Sequence, residues 1–93
     1  MSLNRYAKKR DKSESDIVKA LRAAGASVYL TDLPSDALCG YRGVNHILEF
    51  KTGNRPLNDN QQKFQEEWRG APMTILRSGE QALEWINSLK SME

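Results

Sequence analysis

The stretch Ile47-Leu48-Glu49-Phe50-Lys51 constrains this chain more than any other five residues in it. Three bulky apolar residues at the end of a short run read as a buried strand, and the charged residues Glu49 and Lys51 interrupt that strand two places apart. Strand periodicity puts both on the same face. A carboxylate and an ammonium on a central strand each carry a desolvation cost of several kcal/mol unless they are paired or bound to something. A structural ion pair, or charges exposed on an edge strand, would account for them without any chemistry.

The rest of the chain frames this strand. Ser13 is placed as an N-cap with Asp16 three residues on, and Ile17, Val18, Leu21 and Ala24 recur at helical intervals, so a helix is expected from about Glu14 to Ala24, closed by Gly25. A strand follows over 26–31, then the turn Asp32-Leu33-Pro34-Ser35 and a second strand from Asp36 to Tyr41. Arg42-Gly43 joins it tightly to the strand His46 to Lys51, in a hairpin. The segment 52–57, with Gly53, Asn54 and Pro56, reads as a loop. Asn58 and Gln61 mark a helix start, with Phe64 and Trp68 as an apolar stripe and Gly70 as the stop. Met73 to Arg77 is a last strand, and Ser78 caps a final helix through Leu83, Ile86 and Leu89. The order predicts an α/β sandwich in which a mixed sheet holds an antiparallel hairpin and a crossover helix leads to the last strand.

Ninety-three residues suffice for one domain with one compact site. The apolar runs are too short to cross a bilayer, and no apolar stretch of signal-peptide type follows the basic N-terminus, so no membrane association or secretion is expected. The single cysteine, Cys39, has no disulfide partner or zinc cluster and reads as a buried core thiol in a reducing compartment. The net charge of +2 divides unevenly. Residues 1–12 hold five cations (Arg5, Lys8, Lys9, Arg10, Lys12) against Asp11, giving +4, and residues 13–93 hold nine against eleven, giving −2. The first twelve residues therefore read as a flexible basic arm suited to a phosphate backbone or simply to solubility, and 13–93 as the folded domain.

Asp36 gives the Glu49–Lys51 pair a chemical reading. It opens the preceding strand of the same hairpin and can lie beside Glu49, and converging carboxylates repel unless a hard divalent cation sits between them. Magnesium or manganese fits better than zinc, because the chain has no Cys/His cluster. Such a metal would acidify an attacking water and neutralise charge on a phosphodiester, with Lys51 stabilising that charge or placing the water. Alone, Asp36 is an ordinary turn aspartate. Glu14 shares the apolar stripe of the first helix and so offers a third carboxylate, although the helix dipole also favours an acid there. Gln61 shares a face with Phe64 and Trp68 yet equally fills a capping box. His46 has neither triad partner nor ligand neighbour and reads as an ordinary strand histidine.

The combination Asp36-Ala-Leu-Cys-Gly-Tyr-Arg-Gly, Leu48-Glu49-Phe50-Lys51-Thr-Gly, Leu57-Asn-Asp-Asn-Gln61 and Trp68-Arg-Gly resembles the VRR-NUC (virus-type replication-repair nuclease) domains of the PD-(D/E)XK superfamily, in their small stand-alone phage or prophage form. The resemblance runs from about Arg10 to Leu89. It implies a restriction-endonuclease-like αβββαβ core and a Mg²⁺ or Mn²⁺ ion held by Asp36, Glu49 and the main-chain carbonyl of Phe50, with Lys51 as catalytic lysine. It further implies that Glu14 matches the first-helix glutamate, a further candidate ligand, and Gln61 the glutamine that supports the site. Stand-alone members resemble Holliday-junction resolvases and act as homodimers on four-way or otherwise branched DNA, in the cytoplasm of a bacterial or phage-infected cell. Trp68, Trp85 and the last helix offer apolar surface for such a dimer. The family pattern has Pro directly before the aspartate, whereas here Ser35 stands between Pro34 and Asp36.

Two other classes of function compete. A non-catalytic nucleic-acid-binding module would place Lys8, Lys9, Arg10, Arg42, Arg55 and Lys63 on phosphates, but would gain nothing from carboxylates near them. A protein-interaction domain would need neither metal nor DNA.

Overall fold

The computed structural model describes residues 13–91, in the order α1 (Glu14–Ala23), β1 (Ser27–Leu30), β2 (Ala37–Tyr41), β3 (Val44–Phe50), α2 (Asp59–Glu67), β4 (Thr74–Leu76) and α3 (Gly79–Ser91). The proposed arm, with Lys8, Lys9 and Arg10, lies outside the described residues. The sheet runs β1-β2-β3-β4, with β1/β2 and β2/β3 antiparallel and β3/β4 parallel. This is the expected mixed sheet in an αβββαβ core with a C-terminal helix. No described helix is long and apolar enough to cross a membrane.

Alternation along β3 decides the layering. Leu48 and Phe50 turn to one face, where Ile17, Val18 and Leu21 of α1, Val28, Ala37 and Cys39 of β1 and β2, Leu76 of β4, and Ala82 and Ile86 of α3 complete the core. Each fully buried large side chain there, such as Phe50 or Leu21, contributes about 1.5–3 kcal/mol. Gly79 permits the close approach of α3 to α1, since a Cβ at that position would sit 3.2 Å from both the Cβ and the carbonyl oxygen of Asp16. Trp85 of α3, expected to offer outer surface, instead meets the His46 ring edge-on at 5.0 Å and packs against the core.

Several boundaries move for identifiable reasons. The hairpin is tighter than expected: β3 begins at Val44, paired with Tyr41, because Arg42 (φ 53°) and Gly43 (φ 82°) both take the positive φ of a two-residue primed turn. Ser13 makes no side-chain cap of α1 and has helical dihedrals itself, so the capping box expected with Asp16 is not formed. Its carbonyl already accepts from Ile17, and its hydroxyl donates to the Lys51 carbonyl at 3.5 Å. α2 ends at Glu67 rather than at Gly70, because Trp68 turns to extended dihedrals. Phe64 and Trp68 stack at 5.2 Å, but α2 buries no residue and the stripe joins no core, leaving Trp68 48% exposed.

Candidate active site

Glu49 and Lys51 occupy the sheet face opposite Leu48 and Phe50, and both are almost fully buried, at 2% and 7% exposure. Asp36 (7%) and Ser35 (3%) complete the buried polar residues of the described structure. All four sit at one end of the sheet, where β2 begins and β3 ends.

Asp36 is positioned by the ladder. The β2/β3 register pairs Ala37 with Leu48 and, continued by one residue, sets Asp36 against Glu49. The Asp36 N–H donates to Leu48 O at 3.1 Å and the Asp36 carbonyl accepts from Thr31 at 2.7 Å, tying the residue to β3 on one side and to the end of β1 on the other. Its carboxylate Oδ2 accepts the Phe50 N–H at 2.8 Å, taking a main-chain donor that lies past the last paired residues of the hairpin. The turn before it is held from within: Thr31 Oγ1 donates to Ser35 O at 2.6 Å, and the Ser35 hydroxyl donates to Ala37 O at 3.3 Å. Ser35 therefore lies inside the turn and leaves Asp36 facing Glu49.

Glu49 is held through Oε2. Lys51 Nζ stands 3.9 Å from that oxygen, and Gln61 Nε2 donates to it. Gln61 both caps α2 and reaches Glu49. Its Oε1 accepts the Asn58 N–H at 2.8 Å while Asn58 Oδ1 accepts the Gln61 N–H at 2.9 Å, forming the capping box that starts α2. With Oε1 committed to the cap, the amide nitrogen is the atom turned toward Glu49.

The other candidates are more dispersed. Glu14 opens α1, half-buried, next to the Ser13 hydroxyl that touches the Lys51 carbonyl. Glu14 thus stands on the element whose N-terminal end adjoins the end of β3. Arg42 lies in the turn at the far end of β3, on the order of 20 Å from Glu49 at ~3.3 Å per residue, with its guanidinium 5.8 Å from the Tyr41 ring centroid. Lys63 pairs with Glu67 at 4.0 Å on the exposed side of α2. Arg55 is exposed in the loop between β3 and α2. Cys39 is fully buried, and desolvation pushes its thiol above the ordinary range, which makes it a core residue rather than a nucleophile. His46 is shifted down, also by burial, in keeping with its place against Trp85.

One residue near the site had no signal in the motif. The parallel register pairs Phe50 with Leu76 and, continued by one, sets Arg77 next to Lys51, while Lys51 N–H donates to Leu76 O at 3.1 Å. Only the pairing of β3 with β4 reveals this neighbour.

The donor set suits a hard divalent ion. Two carboxylates facing each other across a ladder, without Cys or His beside them, are the oxygen ligands that Mg²⁺ or Mn²⁺ takes, and Mg²⁺ commonly uses one or two carboxylates and completes its sphere with water and substrate phosphate. The Thr52 hydroxyl, immediately after Lys51, is buried without a hydrogen-bond partner in the structure, adding a polar atom next in sequence to the cluster. No known protein family, curated protein or solved structure matches the chain.

Proposed function

We propose that the chain is a Mg²⁺- or Mn²⁺-dependent DNA endonuclease of the VRR-NUC type, hydrolysing phosphodiesters in branched DNA, with Asp36, Glu49, Lys51 and Gln61 as its working residues. The observation that carries this reading is the burial of Asp36, Glu49 and Lys51 at one end of a four-stranded sheet, on the face opposite the apolar core. Packing alone gives no reason to bury two facing carboxylates and an ammonium, since hydrophobic residues of similar volume would be as stable or more so.

In this proposal Asp36 and Glu49, with the Phe50 main-chain carbonyl, would hold the ion, and Glu14 at the start of α1 is a further candidate ligand and catalytic carboxylate. A bound ion there would supply Lewis acidity toward a phosphodiester and acidify a water. Gln61 keeps the Glu49 carboxylate from rotating, so that its orientation is set before substrate arrives. Lys51 brings a positive charge to the same face, where it stabilises charge growing on the phosphate oxygens. Phosphate contacts away from the site fall to Arg55, Lys63, Arg42 and the basic segment with Lys8, Lys9 and Arg10. A homodimer in the cytoplasm would present two such sites to opposing strands of a four-way junction.

The test is cleavage of four-way junction, flap, single-stranded and duplex DNA, with and without Mn²⁺, by the wild-type protein and by Glu49→Ala. Metal-dependent nicking lost in the variant supports the assignment. Undiminished cleavage by Glu49→Ala, or salt-sensitive binding with no cleavage of any substrate, overturns it.

A further inference from the structure

The loop 51–58 is the covalent link between the two parts of the candidate site, running from Lys51 at the end of β3 to the Asn58 cap that aims Gln61 at Glu49. It contains Gly53, Asn54 and Pro56, has no regular secondary structure, and is largely exposed. Within it Arg55 N–H donates to Thr52 O at 3.3 Å, and at its far end Gln62 Nε2 of α2 donates to Leu57 O at 3.0 Å. Its middle is anchored from the neighbouring strand. Arg77 Nη1 donates to the carbonyls of both Gly53 and Arg55, each at 2.8 Å. The Arg77 backbone is fixed in turn, because its N–H donates to Gln81 Oε1 at the start of α3, and the Gln81 N–H is bound by Ser78 Oγ at 3.0 Å.

We infer that Arg77 is a positioning residue for the site: its guanidinium fixes the path of the 51–58 loop, and thereby the reach of Gln61 to the Glu49 carboxylate. Three observations converge on this. The parallel register sets Arg77 beside Lys51 and on the Glu49 side of the sheet. The two hydrogens on one planar nitrogen meet two carbonyls two residues apart, which a guanidinium does with less loss of freedom than a flexible ammonium. The loop so held ends at the capping box that orients the Gln61 amide. Both hydrogens of Nη1 are committed to the loop, which separates this role from direct phosphate binding through that nitrogen.

The activity arm of the test rests on the endonuclease reading, and a second arm does not. In metal-free protein, amide hydrogen exchange at Asn58 and Gln61, whose N–H groups form the capping box, should quicken in Arg77→Ala and Arg77→Gln and return toward wild type in Arg77→Lys, while core amides of α1 and β3 keep their protection. Unchanged exchange at Asn58 and Gln61 overturns the inference whatever the cleavage assay gives. In cleavage, Arg77→Ala should lower kcat about tenfold with KM held within about twofold, as a small misplacement of a supporting group would. Combining it with Gln61→Ala should cost no more than Gln61→Ala alone. Losses that multiply in the double variant, or a rise in KM with kcat intact, would make Arg77 a substrate contact and overturn the positioning role. If the wild-type protein cleaves nothing, the endonuclease reading falls and the exchange arm alone decides the role of Arg77.

Discussion

Asp36 accepts the backbone N–H of Phe50 on its Oδ2, 2.8 Å away, and so binds the residue between Glu49 and Lys51. The same carboxylate therefore has a structural duty besides the proposed metal, and the two duties separate by substitution. Asp36→Ala removes a buried, charge-assisted hydrogen bond and should lower stability by about 2 kcal/mol. Asp36→Asn keeps an oxygen for the Phe50 N–H and should cost about half of that or less, while losing metal-dependent cleavage as completely as Asp36→Ala. Urea unfolding midpoints measured beside cleavage rates check both halves. Equal destabilisation by the two variants would mean that the hydrogen bond is not what Asp36 contributes to the fold.

The buried Glu49–Lys51 pair should behave as a unit. Neutralising one member strands the other's charge away from water, so Glu49→Gln and Lys51→Met should each cost on the order of 3 kcal/mol. The double variant should be less destabilised than the sum of the two, by at least about 1 kcal/mol. A double-mutant cycle in urea measures this coupling, and strict additivity would show that the two charges do not depend on each other.

Gln61→Glu keeps an oxygen acceptor for the Asn58 amide but replaces the donor to Glu49 with a second negative charge. Facing carboxylates favour a shared proton, so cleavage by this variant should require higher pH than the wild type. A pH–rate profile for the two proteins reads the shift directly; coincident acidic limbs would count against contact between Gln61 and Glu49 during turnover.

How far the sequence foretold all this depends on whether the signal was local. Helical and strand periodicity located every element, and the Asn58–Gln61 spacing announced a real capping box, because these are contacts within a few residues. Glu49 and Lys51 stood out by interrupting an apolar strand. What spacing could not decide was where side chains go when two partners compete: Ser13 looked like a cap and instead reaches Lys51, 38 residues away. Trp85 looked like surface and instead meets His46. Arg77 carried no signal, since only the parallel pairing of β3 with β4 brings it beside Lys51.

His46 provides a pH test that is independent of activity. Burial lowers its pKa from the ordinary 6.5, so between those two values the unfolded chain binds more protons than the folded one. The contribution to stability is complete above pH 6.5 and declines as pH falls below it. The urea midpoint of the wild type should therefore drop more between pH 8 and pH 5.5, two conditions on either side of the ordinary imidazole value, than that of His46→Phe, which keeps an aromatic ring for Trp85. Identical drops would remove His46 as the source.

The parallel joining of β3 to β4 also bears on the order in which the molecule assembles. The hairpin closes through two residues, Arg42 and Gly43, and a hairpin of this kind forms within about 1–10 μs, so Asp36, Glu49 and Lys51 can be brought together early. β4 must wait for a crossover that includes all of α2, and the entropy of closing that longer segment delays it. Gln61 and Arg77 arrive with that closure. Closure of the hairpin thus suffices to set Asp36 opposite Glu49, and the contacts from Gln61 and Arg77 wait for the docking of the last strand.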